Sequence, residues 1–400
     1  MNQRDFHVLL PTFAADYSGA CAALFDLNGT VVIHDPSGCI GNYTAYDEPR
    51  AYEGNARILT SALDDMQALF GLDDALVEAA CHAQREVPGD FVALIGTPNP
   101  MVLGTDYRAV ANQISDLCQI PGIALDTTGT RYYGHGLART LLALARDLVA
   151  PRAGEVPPWE PGRPRRVNLL GATPLDVTSQ ANVDAVRDLL EAGGWAVASV
   201  WSMGSSVQEY VDGLTAACNV ALTTSGLSLA RWMQRTYGIP YVVGSFAGRT
   251  PVARTLNRMD RAAAGEKVSP WEPPAPSGNP NGPRALVVGD QALANGWREA
   301  LLTDEGFGAV SVATFFEADP ALMAPDDLGT VSEEELLAAV ADGGYDVLVG
   351  DTLLDGFIPQ ESACRHVEVP HVAVSSRISW DKPVPLFGEG FLAHVREALR

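Results

Sequence analysis

The chain has 400 residues, 47% apolar and 19% charged, which provides for a sizeable core and admits two or three domains. A formal net charge of −22 excludes nucleic acid and anionic membrane as partners, because both would be repelled. No apolar run reaches the roughly 18 residues of a membrane span, the start "MNQRDFHVLLPTF" is too weakly apolar for a secretion signal, and the six cysteines include no CxxC pair, so a cytoplasmic protein with free thiols is expected.

Short continuous apolar runs read as strands. Residues 7–10 (HVLL), 29–34 (GTVVIH), 91–96 (FVALIG) and 122–126 (GIALD) come first, with helical patterns at 63–84 and 106–117. The proline-rich stretch Ala150–Arg166 follows and should sustain neither a helix nor a central strand. Strands at 166–171, 195–201, 218–225 and 239–244 form a second group. A second proline-rich stretch, Ser269–Arg284, leads into strands at 284–290, 309–315, 345–351 and 370–375. Apolar strands alternating with amphipathic helices imply an α/β fold of three Rossmann-like units, each a roughly four-stranded parallel sheet flanked by helices. The expected units are 1–150, 167–268 and 285–400, with linkers at 151–166 and 269–284.

Open parallel sheets bind ligands at the carboxyl ends of their strands, so the residues after each strand carry the interest. No GxGxxG opens a first helix and no GxxxxGK[ST] occurs, which argues against ordinary dinucleotide or P-loop nucleotide binding. The segment "HDPSGC" turns a strand through Pro36 and Gly38 into Cys39. Such a turn carries a thiolate outward, where it suits a soft metal such as iron, and Gly38 lets a bulky group approach the backbone. The plain alternative is a buried turn cysteine. In "GTRYYGHG", Arg131, Tyr132, Tyr133 and His135 offer cationic, phenolic and imidazole groups that could hold an anion or deliver a proton, or simply pack the loop. Arg249, Arg377 and Trp380 follow later strands, and ion pairing is the plain reading of the arginines. His371 falls within the expected strand 370–375 and reads as structural. Cys81, Cys118, Cys218 and Cys364 read as packing.

Taken together, "HDPSGC", "TSALDDMQALFG", "IGTPNPMVLGTDYRAVA", "GIPYVVGSFAGRTPVARTL" and "RISWDKPVPLFGEGF" resemble, in order and spacing, the nitrogenase component 1 superfamily. That group includes dinitrogenase subunits, cofactor scaffold proteins, the catalytic subunits of dark protochlorophyllide reductase and the tetrapyrrole reductase component of coenzyme F430 synthesis. The resemblance implies that Cys39 ligates an iron–sulfur cluster at a subunit interface, with His34 hydrogen-bonding it. It implies that electrons arrive from a separate ATP-dependent iron protein, and that the partner is a second copy or a homologous chain. The family's other two cluster cysteines fall near Ala15 or Asp16 and at Thr97, so an eight-iron cluster is not expected. A [4Fe–4S] cluster needs four ligands; Cys21 and Cys39 from each of two chains would supply them, with Asp16 or a partner chain as alternatives. The family's cofactor-ligating Cys and His fall on Leu222 and Ile378, so neither a molybdenum cofactor nor dinitrogenase activity is expected. The implied function is reduction of an unidentified organic substrate, with tetrapyrrole-like molecules as one class. Tyr133, His135 and Arg377 would line its cavity. A scaffold for cluster or cofactor assembly, or a pseudo-subunit, is the alternative.

Overall fold

The computed structural model describes residues 8–53, 57–71, 73–276 and 278–400. They form three separate sheets, and every pair of neighbouring strands runs parallel. The first holds β1 (Gly29–Ile33), β2 (Ile58–Thr60), β3 (Phe91–Ile95) and β4 (Gly122–Leu125), in the order β2-β1-β3-β4. The second holds β5 (Arg166–Leu170), β6 (Ala196–Val200), β7 (Cys218–Ala221) and β8 (Tyr241–Val243), in the order β6-β5-β7-β8. The third holds β9 (Arg284–Val288), β10 (Ala309–Thr314), β11 (Gly329–Thr330), β12 (Val347–Gly350) and β13 (Arg365–Glu368), in the order β11-β10-β9-β12-β13.

The winding direction reverses once in each sheet, between β1 and β3, between β5 and β7, and between β9 and β12. At such a reversal the connections leave in opposite directions and open a crevice above the strand ends. Ile33 pairs with Ile95, so β1 and β3 end level and the turns after them lie side by side.

The run GTVVI is a strand because both of its faces are covered. Val32 packs with Leu76, Val77 and Ile114 from the Asp73–Glu86 and Tyr107–Cys118 helices. Val31 and Ile33 point the other way, among Ala20, Leu24, Leu137 and Leu141. These last come from the helices Asp16–Leu24 and Tyr133–Leu144, which meet backbone to backbone. A Cβ on Gly19 would collide with the Tyr133 carbonyl, and one on Gly136 with the Asp16 carbonyl. Two glycines therefore permit this crossing, and no residue of Asp16–Leu24 reaches the surface.

Several expected elements differ. Residues 8–10 of the expected first strand join no sheet; the N–H groups of Val8, Leu9 and Leu10 bond the Glu333 carboxylate instead, and residue 7 lies outside the described residues. The expected strand 370–375 holds a short helix, Val372–Ser375, and the strand precedes it at Arg365–Glu368. Pro370 separates the two, and Asp351 accepts from the His371 N–H and the Ser375 hydroxyl to fix the turn. The pattern at 63–84 contains two helices, Asp65–Phe70 and Asp73–Glu86; the first ends at Gly71 in a left-handed conformation. The stretch 151–166 is not wholly extended, since Ala150–Glu155 is a 3₁₀ turn. The third sheet has five strands, one more than the sequence suggests. Among the described residues no helix is long and apolar enough to cross a membrane.

Candidate functional site

Cys39 lies at the reversal point of the first sheet, on the one-turn helix Gly38–Asn42 that follows β1. Asp35 builds this turn: its Oδ2 accepts the N–H groups of Ser37 (2.7 Å) and Cys39 (2.8 Å). Thr97, just beyond β3, donates its hydroxyl to the His34 carbonyl (2.8 Å) and to Asp35 Oδ1 (3.3 Å), tying the two strand ends together. The strained residue is Ser37, at φ 110°, whereas Gly38 needs no unusual φ and faces open space where a Cβ would go.

The Cys39 thiol is half-buried and within hydrogen-bonding reach of Asp35, Tyr17 and Thr97. Burial, then Asp35, pushes its pKa up to about 12, so it is a thiol at neutral pH. Burial also pushes the Tyr17 phenol up, with Cys39 and Asp47 adding to the effect. His34 is buried with Nδ1 2.8 Å from the Ser61 hydroxyl and its ring edge-on to Tyr107. Burial lowers its pKa to about 4, against Asp35, and the imidazole is neutral at pH 7.

The other proposed ligands stand differently. Cys21 is 0% exposed and packs in the core of the Asp16–Leu24 helix; burial, then Glu48 and Asp47, pushes its thiol up. A twofold arrangement therefore has no second thiol at the surface from Cys21. Asp16 is occupied as well: Oδ1 accepts the Gly129 N–H (2.7 Å) and Oδ2 the Thr128 N–H (3.0 Å). Its carboxylate holds the loop after β4 in place. A [4Fe–4S] cluster takes four ligands, and the residues present fit one of them, Cys39. Among the described residues no three His, Cys, Asp or Glu side chains form a metal site.

The segments beyond the ends of β1, β2 and β3 expose large apolar side chains, including Tyr46, Tyr52, Leu69, Phe70 and Val102. A hollow of 100 Å³ lined by His34, Gln67 and Leu103 joins these segments.

A second feature is a cavity of 520 Å³ bounded by residues that follow strands in all three sheets. The Tyr133–Leu144 helix contributes Tyr133 and His135, the residues after β7 contribute Thr224 and Arg231, and the third sheet contributes Asp290 and Phe316. Asp290 follows β9 and accepts the N–H groups of Thr224 (3.0 Å), Ala292 (3.0 Å) and Leu293 (3.2 Å). Burial, then the nearby Asp176, raises its pKa to about 6. His135 lies 3.5 Å from Arg131; burial, then Arg131 and Arg139, lowers its pKa, so it is neutral at pH 7. Tyr133 donates its hydroxyl to Asp176, and burial, then Asp176, pushes its pKa up.

Arg377 does not join this cavity. It is exposed and lies over the Tyr46 ring, 5.8 Å from its centroid, while Trp380 packs edge-on against Tyr52. Arg249 is paired with Glu389 at 3.0 Å. Leu222 is wholly buried and Ile378 is 55% exposed. Asp35, Asp176 and Asp290 went unnoticed in the sequence. The signal was available: Asp35 and Asp290 both stand two residues after a strand at a reversal point.

The sequence profile of the family described as nitrogenase component 1 type oxidoreductase matches residues 15–374. The chain is 24% identical over 384 residues to the B subunit of light-independent protochlorophyllide reductase from Rhodospirillum rubrum, covering 88% of this chain and 64% of that protein. It is 25% identical over 269 residues to the nitrogenase iron-molybdenum cofactor biosynthesis protein NifE of Methanosarcina barkeri, covering 64% of this chain and 56% of that one. The chain thus spans less than two thirds of the length of either relative. A solved structure titled nitrogenase Cp1 at pH 6.5 superposes with a TM-score of 0.70 at 14% identity, covering 100% of this chain and 94% of that one, a likeness of fold. The strand-to-cysteine turn, the three parallel sheets and the profile match over most of the chain lead to one conclusion: this chain belongs to the nitrogenase component 1 type oxidoreductase family.

Proposed function

We propose that this chain is a nitrogenase-like reductase component that shares an iron–sulfur cluster with a second, homologous chain and reduces an organic substrate. The observation that carries the reading is the position of Cys39. It lies on the one-turn helix that follows β1 at a sheet reversal point, half-buried, on the side of the sheet where the connecting segments expose apolar side chains. A second chain covering that apolar rim would remove it from water and bring further ligands to Cys39. With one fitting ligand per chain, a homodimer falls short of four, which favours a heteromer. When bound, the cluster would supply low-potential electron transfer.

The rest belongs to this chain's residues. Asp35 and Thr97 hold the Cys39 backbone in place. The chain has no P-loop, so ATP-driven electron delivery would fall to a separate iron protein. The 520 Å³ cavity is the substrate site in this reading. Its aromatic walls, Tyr133 and Phe316, suit a flat apolar body, while its arginines are already paired, Arg231 with Asp319 and Arg139 with Asp126. Neutral His135 can donate or accept a proton there. Leu222 and Ile378 cannot ligate a metal, so the reading excludes a molybdenum cofactor held at those positions.

The test is anaerobic purification of the chain with its partner, with and without Cys39→Ala. Iron content, the visible sulfur-to-iron absorption and the electron paramagnetic resonance signal should fall in the variant. Full iron in Cys39→Ala would overturn the assignment.

A second reading is a scaffold for cluster or cofactor assembly, supported by the similarity to a protein named for cofactor biosynthesis. Release of iron or a cofactor to an acceptor protein without substrate turnover would favour it.

A further inference from the structure

A second group of thiols lies outside both features. Cys81 is on the Asp73–Glu86 helix and Cys118 ends the Tyr107–Cys118 helix; both helices cover the same face of the first sheet. Their Sγ atoms are 3.1 Å apart. No other pair of thiols is in contact among the described residues. We propose that Cys81 and Cys118 are a modification site, forming an intramolecular disulfide by exchange with a small-molecule disulfide.

Accessibility sets the order of events. Cys81 is buried, whereas Cys118 is partly exposed at a helix end followed by Gln119 at φ 57°. The Cys118 thiolate attacks one sulfur of the small disulfide, forming a mixed disulfide and releasing one small thiolate. The Cys81 thiolate then attacks the Cys118 sulfur and releases the second. The two protons lost by the cysteines pass to the two small thiols. Two cysteines are oxidised and one small disulfide is reduced, so atoms and electrons balance.

Burial, then the Cys118 thiol, pushes Cys81 up to about 11, so the second step draws on a thin thiolate fraction and quickens as pH rises. The bond would close a loop spanning a sequence separation of 37, which includes β3 and Thr97. Closing that loop restricts the unfolded chain and raises the denaturation midpoint. The site is independent of any cluster, since neither thiol packs in the core that Cys39 adjoins.

The test uses the full chain, reduced, freed of reductant and then exposed to glutathione disulfide. Thiols counted in denaturant should fall by two from the six, beyond any glutathione adducts at the partly exposed Cys39 and Cys364, which mass measurement counts separately. Peptide mapping without reductant should recover a fragment joining Cys81 and Cys118, and the urea midpoint should rise and return on adding dithiothreitol. Cys81→Ser should stop at a glutathione adduct on Cys118. Six thiols remaining in the wild type, or glutathione adducts with no joined fragment, would overturn the proposal. Both of those outcomes are read on the wild type and do not depend on the variant folding.

Discussion

The Tyr133 hydroxyl lies 3.1 Å from Nε2 of His371. Its single proton goes to Asp176, and His371 Nε2 also lies 3.4 Å from the Asp176 carboxylate, so the three side chains form one buried polar cluster. Tyr133 follows β4, Asp176 follows β5 and His371 follows β13, so one buried trio fastens all three units together.

Tyr133→Phe should therefore act on stability. It leaves a buried carboxylate and a buried imidazole without their shared partner, at a cost of about 1–3 kcal/mol. Urea denaturation measures this. A midpoint equal to wild type would show that the trio does not fasten the units.

His34 predicts a pH dependence. Its folded pKa is about 4, below the ordinary 6.5. The unfolded imidazole accepts a proton below 6.5 that the folded one refuses until about 4. The stability from keeping His34 neutral is complete above 6.5 and is lost as pH falls through that window, by up to about 3 kcal/mol. Asp47 and Asp290, both raised to about 6 chiefly by burial, slope the other way. The readout is thus a difference: between pH 6.5 and 4, wild type should lose more stability than His34→Gln. Parallel curves would refute it.

Two glycines should respond differently. Gly19→Ala forces a methyl into the Tyr133 carbonyl and should cost about 1–3 kcal/mol or more. Gly38→Ala meets nothing and should stay within about 0.5 kcal/mol of wild type. Thermal melts of the two variants, compared with wild type, check both.

The cavity and the Arg377 surface should separate in kinetics. With the reductase reconstituted, His135→Ala should lower turnover by roughly 100- to 10,000-fold with iron content unchanged. Arg377→Ala, lying over Tyr46 outside the cavity, should turn over normally. Normal turnover in His135→Ala would remove His135 from the substrate site.

Strands such as β1 and β3 were legible because burial on both faces leaves an unbroken apolar run in a length that suits a strand. The same rule misled at 370–375, where a short apolar run fits a helix segment equally well and only its packing decides. The Cys39 turn was legible because Pro36, Gly38 and a thiol after a strand are adjacent in sequence. Asp16 was not: its carboxylate bonds Thr128 and Gly129, more than a hundred positions away. The burial of Cys21 likewise depends on Gly136 letting a distant helix close over it.

That glycine-mediated crossing constrains how this molecule can be re-engineered or diversified. The helix carrying Tyr133 and His135 touches its neighbour through bare backbone, so the backbone of that cavity wall has no room to retreat. The opposite wall, with Glu317 and Pro320 in an exposed loop after β10, carries no such restriction. Changes in ligand size should therefore be accommodated by substitutions in that loop, while the Tyr133 wall stays fixed as the reference surface.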